Sequence, residues 1–187
     1  MLAHTSGFTF QPYGYKLAQD TIQASMMFSL PVEDIMALGY KEAKFKRRSR
    51  YHNTNGTIDY GGMSLNSRFV ENFRADLLHD FGITLTENEV YNDNTVLGAY
   101  RLYQIANRWS NRLDRFKVYN GGAGALSTGV SDAYASDMME LTSLPRFVEE
   151  VYPLFLKRVF LYKGKIPTDK QLASYPLLKY NLTVSRK

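Results

Sequence analysis

His52–Phe69 reads HNTNGTIDYGGMSLNSRF, and the fold turns on how this run is understood. It is polar, rich in glycine and short of leucine, and it lies between two segments with helical spacing. Asn55-Gly56 is the strongest short hairpin signal, because both residue types tolerate positive φ. The expected structure is a small hairpin across residues 50–62, with Thr57, Ile58 and Tyr60 on its second arm. Asn66 or Ser67 then caps a helix. Its apolar residues Phe69, Val70, Phe73, Leu77 and Phe81 keep helical spacing until Gly82 stops it.

Upstream, residues 1–12 look like an irregular lead-in, and Leu17, Ile22 and Met26 predict a helix from Tyr13 to Met27. Pro31 suits the first turn of a second helix, about Pro31 to Phe45. Glu33 and Asp34 favour its N-terminal end. Glu42 lies two helical turns after Ile35, so it projects from nearly the face of Ile35, Leu38 and Gly39. A carboxylate beside an apolar face costs free energy unless it is useful or satisfied.

Downstream, residues 83–92 read as a loop and Asp93 as the cap of a helix from about Asn94 to Trp109. A short helix from Ser110 to Asn120 ends at Gly121-Gly122, a glycine-bearing loop runs to Ser131, and a helix covers Asp132–Leu141. Then Phe147, Val148, Val151, Tyr152, Phe155, Val159 and Phe160 form an apolar stripe that Pro153 should kink or end. Glu149, Glu150, Lys157 and Arg158 exclude a membrane span there. The expected fold class is α+β, predominantly helical, with one small β-hairpin. One domain covers residues 1–142, and residues 143–187 form a helical extension packed on it.

The chain has 187 residues, enough for a proper core. With no cysteine, disulfides, thiol nucleophiles and Cys-based metal sites are excluded, and the three histidines form no ligand motif. No cofactor or metal is expected. The net charge of +5 favours anionic polymers such as nucleic acid, anionic membranes or a bacterial cell wall without choosing among them. No nucleic-acid-binding signature is present, so nucleic acid is not an expected partner. No run reaches the roughly 18 apolar residues of a membrane span. The 14 tyrosines suit a sugar groove as well as packing, because an amphipathic ring stacks on a pyranose and its hydroxyl can hydrogen-bond.

Cleaving a glycosidic bond needs a protonated acid at the leaving oxygen and a group that stabilises the oxocarbenium-like centre. The acid belongs in an apolar setting that keeps it protonated, and the stabiliser in a polar, hydrogen-bonded one. Glu42, on its apolar helix face, fits the first, and Asp59, among Asn and Thr, fits the second.

The stretch KEAKFKRRSRYHNTNGTIDYGGMSLNSRF, Lys41 to Phe69, resembles the active-site region of the lysozyme superfamily. A Glu closes a helix, an NTNGTIDYG hairpin follows, and an NSRF helix start comes next. In animal-type lysozymes the catalytic Glu and the Asp before Tyr-Gly are also 17 positions apart, as Glu42 and Asp59 are here. Bacterial and phage lytic transglycosylases share the helix-ending Glu and a following GLMQIN-like motif, which here reads Gly61-Gly62-Met63-Ser64-Leu65-Asn66. Far downstream, Val118-Tyr119-Asn120-Gly121-Gly122 resembles their AYNAG motif, and Tyr134 looks like the tyrosine that usually follows. The likeness covers about residues 15–140. The chain departs from the pattern at Ser64, where the family usually has Gln, and at Ala43, where it usually has Ser.

The resemblance implies a lysozyme-like fold and cleavage of the β-1,4 bond between N-acetylmuramic acid and N-acetylglucosamine, with Glu42 as general acid and base. Gly62, Met63, Ser64, Asn66, Tyr119, Asn120 and Tyr134 would line the substrate groove. Asp59 takes part in a lysozyme-type hydrolysis, whereas lytic transglycosylases commonly work with the single Glu. The third alternative is a catalytically weak wall-binding or assembly protein. Peptidoglycan glycan strands are the expected partner, with phage-particle or secretion and conjugation machinery reached through the C-terminal extension. The site of action would be the periplasm or cell wall. No signal peptide is visible in MLAHTSGFTFQPYGYK, which points to a virion, non-classical export or a leader already removed.

Overall fold

The computed structural model describes residues 7–173. The chain is predominantly helical with small antiparallel sheets, an α+β architecture. Helix α1 (Gly14–Phe28) and helix α2 (Val32–Ala43) come first, after a strand β1 (Phe8–Phe10). Strands β2 (Arg50–His52), β3 (Ile58–Tyr60) and β4 (Leu65–Asn66) form one sheet in that order. Helices α3 (Val70–Phe81), α4 (Glu87–Tyr91), α5 (Thr95–Ala106), α6 (Arg112–Gly121), α7 (Ala125–Thr128) and α8 (Asp132–Leu141) follow.

The core gathers around α5, which packs on α1, α2, α3, α4 and α6. Leu97, Tyr100 and Leu102 of α5 are fully buried, together with Leu38, Leu65, Leu77, Phe116 and Met138 from the surrounding elements. Tyr100 keeps its buried hydroxyl satisfied by donating to Asp80 at 2.5 Å.

Several local expectations change. The hairpin exists, with Asn53 to Thr57 as its turn, but a third strand, β4, joins it, so the element is a sheet and not a lone hairpin. Asn66 lies in β4 and does not cap α3. Its side chain donates to Asp59 and Thr57, and the N-terminus of α3, at Phe69, has no side-chain cap. The loop expected over 83–92 contains α4, which starts with a capping box. Thr86 accepts from the Glu89 amide, and the Glu89 carboxylate accepts from the Thr86 amide. Asn94, not Asp93, precedes α5, because Asp93 is bound to Arg47 and Asn88.

The lead-in and the far end of the described chain also differ from expectation. β1 pairs antiparallel with β5 (Phe160–Tyr162), Phe8 opposite Tyr162 and Phe10 opposite Phe160. Between α8 and β5 run α9 (Leu144–Arg146), a π-helical turn over Phe147–Val151, and α10 (Tyr152–Val159). Helix runs on through Pro153, the π-helical turn passing directly into α10. Pro153 has no N–H for the carbonyl four residues back, and its ring crowds that carbonyl, so the turn ahead of it widens to the π form. These segments pack on α1, α2 and α8. The last described element, α11 (Asp169–Ala173), begins at Thr168, which exchanges hydrogen bonds with Gln171. The rest of the tail expectation lies outside the described residues.

Candidate functional site

Glu42 is the next-to-last residue of α2, and the way that helix stops decides where the carboxylate sits. Lys44 and Phe45 both adopt positive φ, and their amides turn back to the carbonyls of Tyr40 and Gly39. Left-handed backbone at two non-glycine residues costs about 1–2 kcal/mol each. Burying the Phe45 ring against Phe155, centroids 5.4 Å apart, offsets it. The ring lies so close over the helix that a Cβ at Gly39 would stand 3.0 Å from it, which is why glycine occupies that position.

Ion pairs then fix the end of α2 from one side. Lys41 bonds Asp137 of α8 at 2.5 Å, Arg146 bonds Asp137 at 2.6 Å and Glu150 at 2.6 Å, and the Tyr40 hydroxyl donates to Glu150 at 3.1 Å. Two hydroxyls act on Glu42 itself. Tyr134 of α8 donates to its Oε1, and the Ser64 hydroxyl stands close enough to favour the ionised form.

Burial pushes the Glu42 carboxyl above its ordinary value. The bond from Tyr134, the Ser64 hydroxyl and the Arg101 charge oppose that shift, and the charge of Asp59 adds to it. The carboxyl is deeply buried, while Glu42 taken as a whole residue keeps partial exposure. Burial, with the charge of Glu42 and the bond to it, holds the Tyr134 hydroxyl well above its usual range, so it stays a donor.

Asp59 stands in the middle of β3, opposite Tyr51 on one side and Asn66 on the other. Asn66 donates to its Oδ1 at 2.7 Å. This is a polar, partly exposed setting, and it lies near enough to Glu42 for its charge to act there.

The turn between β3 and β4 carries Gly62, Met63 and Ser64. Ser64 needs φ near +47°, and with it the hydroxyl stands close to Glu42. Gly62 is partly exposed, but Met63 is 1% exposed, its side chain packed into the space left by Gly98. The Met63 side chain therefore belongs to the core and not to the groove. Its backbone matters instead, because the Tyr119 hydroxyl donates to its carbonyl at 3.1 Å. Tyr119 is likewise buried, and Asn120 is exposed and turned to Ser131, donating to its hydroxyl at 2.9 Å. Glu42, Ser64, Tyr134 and Asp59 thus share one neighbourhood. Tyr119 supports its floor, and Asn120 is occupied by the α7–α8 loop.

Two residues escaped the sequence reading. Asn94, 1% exposed, accepts from the Met63 amide at 3.0 Å and donates to the Tyr60 carbonyl at 2.6 Å, so one side chain pins both ends of the β3–β4 turn. Gly61 between them has φ +70°, and any Cβ there would meet Asn94 at 2.5 Å. Arg101 bonds the Tyr119 carbonyl, lies 4.5 Å over the Tyr119 ring and 5.5 Å over Phe73, and carries its charge toward Glu42. Its signal was legible: a cation four residues from both Leu97 and Ile105, on the buried stripe of α5.

A cavity of about 320 Å³ borders the same turn, walled by Leu17, Ile35, Phe45 and Met63. It shares only Gly62 and Met63 with the predicted residues, and its inner charges are paired, Lys16 with Asp20 and Glu89, Arg47 with Asp93. Glu42 does not line this cavity. Among the described residues no cluster of three His, Asp or Glu side chains is placed to hold a metal ion, and no helix is long and apolar enough to cross a membrane. No protein-family model matches the chain, and no curated protein and no solved structure matches it.

Proposed function

We propose that this protein is a peptidoglycan-cleaving enzyme with a lysozyme-like fold, acting on the β-1,4 bond between N-acetylmuramic acid and N-acetylglucosamine as a lytic transglycosylase. The observation that carries the reading is the protonation bias at Glu42: a carboxyl raised by burial, held by the Tyr134 hydroxyl with that of Ser64 beside it, on a residue that is not wholly enclosed. In this mechanism Glu42 gives its proton to the leaving oxygen, and the substrate's N-acetyl group assists departure. The resulting Glu42 carboxylate is stabilised by the same two hydroxyls and by Arg101. It then takes the proton from the muramyl 6-hydroxyl as that oxygen closes on the anomeric carbon, giving a 1,6-anhydro product.

Ser64 replaces the expected glutamine, and its hydroxyl, close to Glu42, favours the ionised acid. A second reading, hydrolysis by a lysozyme-type route, is favoured by Asp59. It is hydrogen-bonded by Asn66 and acts electrostatically on Glu42, as a stabiliser of the cationic centre would. Digestion of purified peptidoglycan with mass spectrometry of the products separates the two. Anhydro-muropeptides are expected, and reducing ends would move the assignment to the hydrolase. No release at any pH, with Glu42→Gln indistinguishable from wild type, would end the enzyme reading.

A further inference from the structure

Tyr51 is 66% exposed, and its side chain has no ring, hydrogen-bond or ion-pair partner among the described residues. A single exposed aromatic is ordinary. Its register is what sets Tyr51 apart. It stands directly opposite Asp59 across β2–β3, and Asp59 stands directly opposite Asn66 across β3–β4. Directly opposed residues put their Cβ atoms on the same face, so Tyr51, Asp59 and Asn66 form one transverse row.

The next row, Arg50, Tyr60 and Leu65, faces the other way and is consumed by packing. Leu65 is fully buried, Tyr60 meets Tyr91 edge-on at 4.9 Å, and the Arg50 guanidinium lies 4.7 Å over Tyr60. The sheet therefore has a packed face and an open face. The open face is the one whose central carboxylate acts on Glu42.

We propose that Tyr51 is a sugar-stacking residue, a platform for one pyranose ring of the glycan strand on the sheet side of the cleft, beyond Asp59. The proposal rests on the glycan-cleaving reading and names the contact that extends it. A pyranose offers an apolar face of axial C–H groups to an aromatic ring and equatorial hydroxyls at its edge. Tyr51 presents both complements, a free ring face and a phenolic hydroxyl. Asn66 and Asp59 in the same row supply polar groups to the neighbouring sugar. A strand lying across that row would pass Tyr51, then Asp59, with Glu42 at the bond to be broken.

The test uses the full chain carrying Glu42→Gln, so that binding is read without cleavage. Calorimetric titration with the β-1,4-linked N-acetylglucosamine hexamer, and with soluble uncrosslinked peptidoglycan strands, compares this parent with versions also bearing Tyr51→Ala, Tyr51→Phe or Tyr51→Trp. Tyr51→Ala is expected to weaken binding about tenfold, while Phe and Trp keep it within about threefold. In the active background Tyr51→Ala raises KM and leaves kcat in place, and its thermal midpoint matches wild type. Equal binding by the parent and its Tyr51→Ala form overturns the platform and leaves the glycan reading standing. A parent that binds neither probe overturns both.

Discussion

At the scale of one residue, Glu42 is defined by opposing influences of known sign. Burial and Asp59 favour the protonated form, while Tyr134, Ser64 and Arg101 favour the ionised one. Removing a hydrogen bond that favours ionisation raises the pKa, and removing a like charge lowers it. Tyr134→Phe is therefore expected to move the alkaline limb of the pH–activity profile upward, and Asp59→Asn to move it downward. A shift of the alkaline limb in the same direction in both variants would refute the assignment of Glu42 as the titrating acid. If Asp59→Asn also retains most of its kcat, the single-Glu route holds.

The same residue makes a stability prediction. Because the folded Glu42 binds its proton more tightly than an unfolded carboxyl, its contribution is full below the unfolded pKa, about 4.3, and is lost as pH rises through the raised folded value. Glu42→Gln cannot ionise, so it should melt at a higher temperature than wild type near pH 8 and lose that advantage by pH 4. Scanning calorimetry at the two pH values measures this, and a pH-independent difference would contradict it.

At the scale of elements, the β3–β4 turn depends on a side chain from another part of the fold. Asn94→Ala leaves the buried Met63 amide and the Tyr60 carbonyl without their partner, at about 1–3 kcal/mol for each unmade bond. Denaturant unfolding should show a loss of about 2 kcal/mol or more, and a loss under about 0.5 kcal/mol would mean the turn holds itself. Helix α4 offers a pH-dependent counterpart. Burial raises the Glu89 carboxyl, but Lys16 and the Thr86 amide and hydroxyl outweigh it and bring it down to about 2. Its stabilisation is therefore present above the unfolded value, about 4.3, and lost as pH falls toward 2. Glu89→Gln should cost on the order of 1 kcal/mol at pH 7, and the cost should shrink as pH falls through about 2.

At the scale of the whole molecule, the two ends of the described chain close on each other. β1 pairs with β5, the Gln11 amide donates to the Val159 carbonyl at 2.8 Å, and Gly14 starts α1 against the same carbonyl. A Cβ at Gly14 would lie 2.1 Å from that backbone oxygen, which no rotamer change relieves. Gly14→Ala is expected to lower stability by about 1–3 kcal/mol, read by thermal melting, because α1 must back away from α10. A neutral substitution would show that this closure is loose.

The elements that the sequence announced are those whose signal is local. The Asn55-Gly56 turn, the stop at Gly82 and the span Asp132–Leu141 each depend on residues within one or two turns of one another, so spacing alone revealed them. Glu42 was conspicuous for the same reason, as a carboxylate two turns from Ile35 on one helix face. The capping box at Thr86 and Glu89 is equally local, but α4, only five residues long, is too short to carry a periodic signal.

What only the tertiary structure decided is where long-range partners fall. β1 and β5 are three residues each and some 150 positions apart, too short for a periodic signal and joined by a pairing that no window spans. Met63 and Asn66 had motif-like positions, but Gly98 opened a core space for one, and Asp59 took the side chain of the other. The chain by itself determined a largely helical α+β protein with an acid on an apolar helix face and a polar strand to follow. The contacts of Tyr134, Ser64, Asn94 and Arg101 came from folding, because a side chain's burial and proton affinity depend on neighbours brought from elsewhere in the chain.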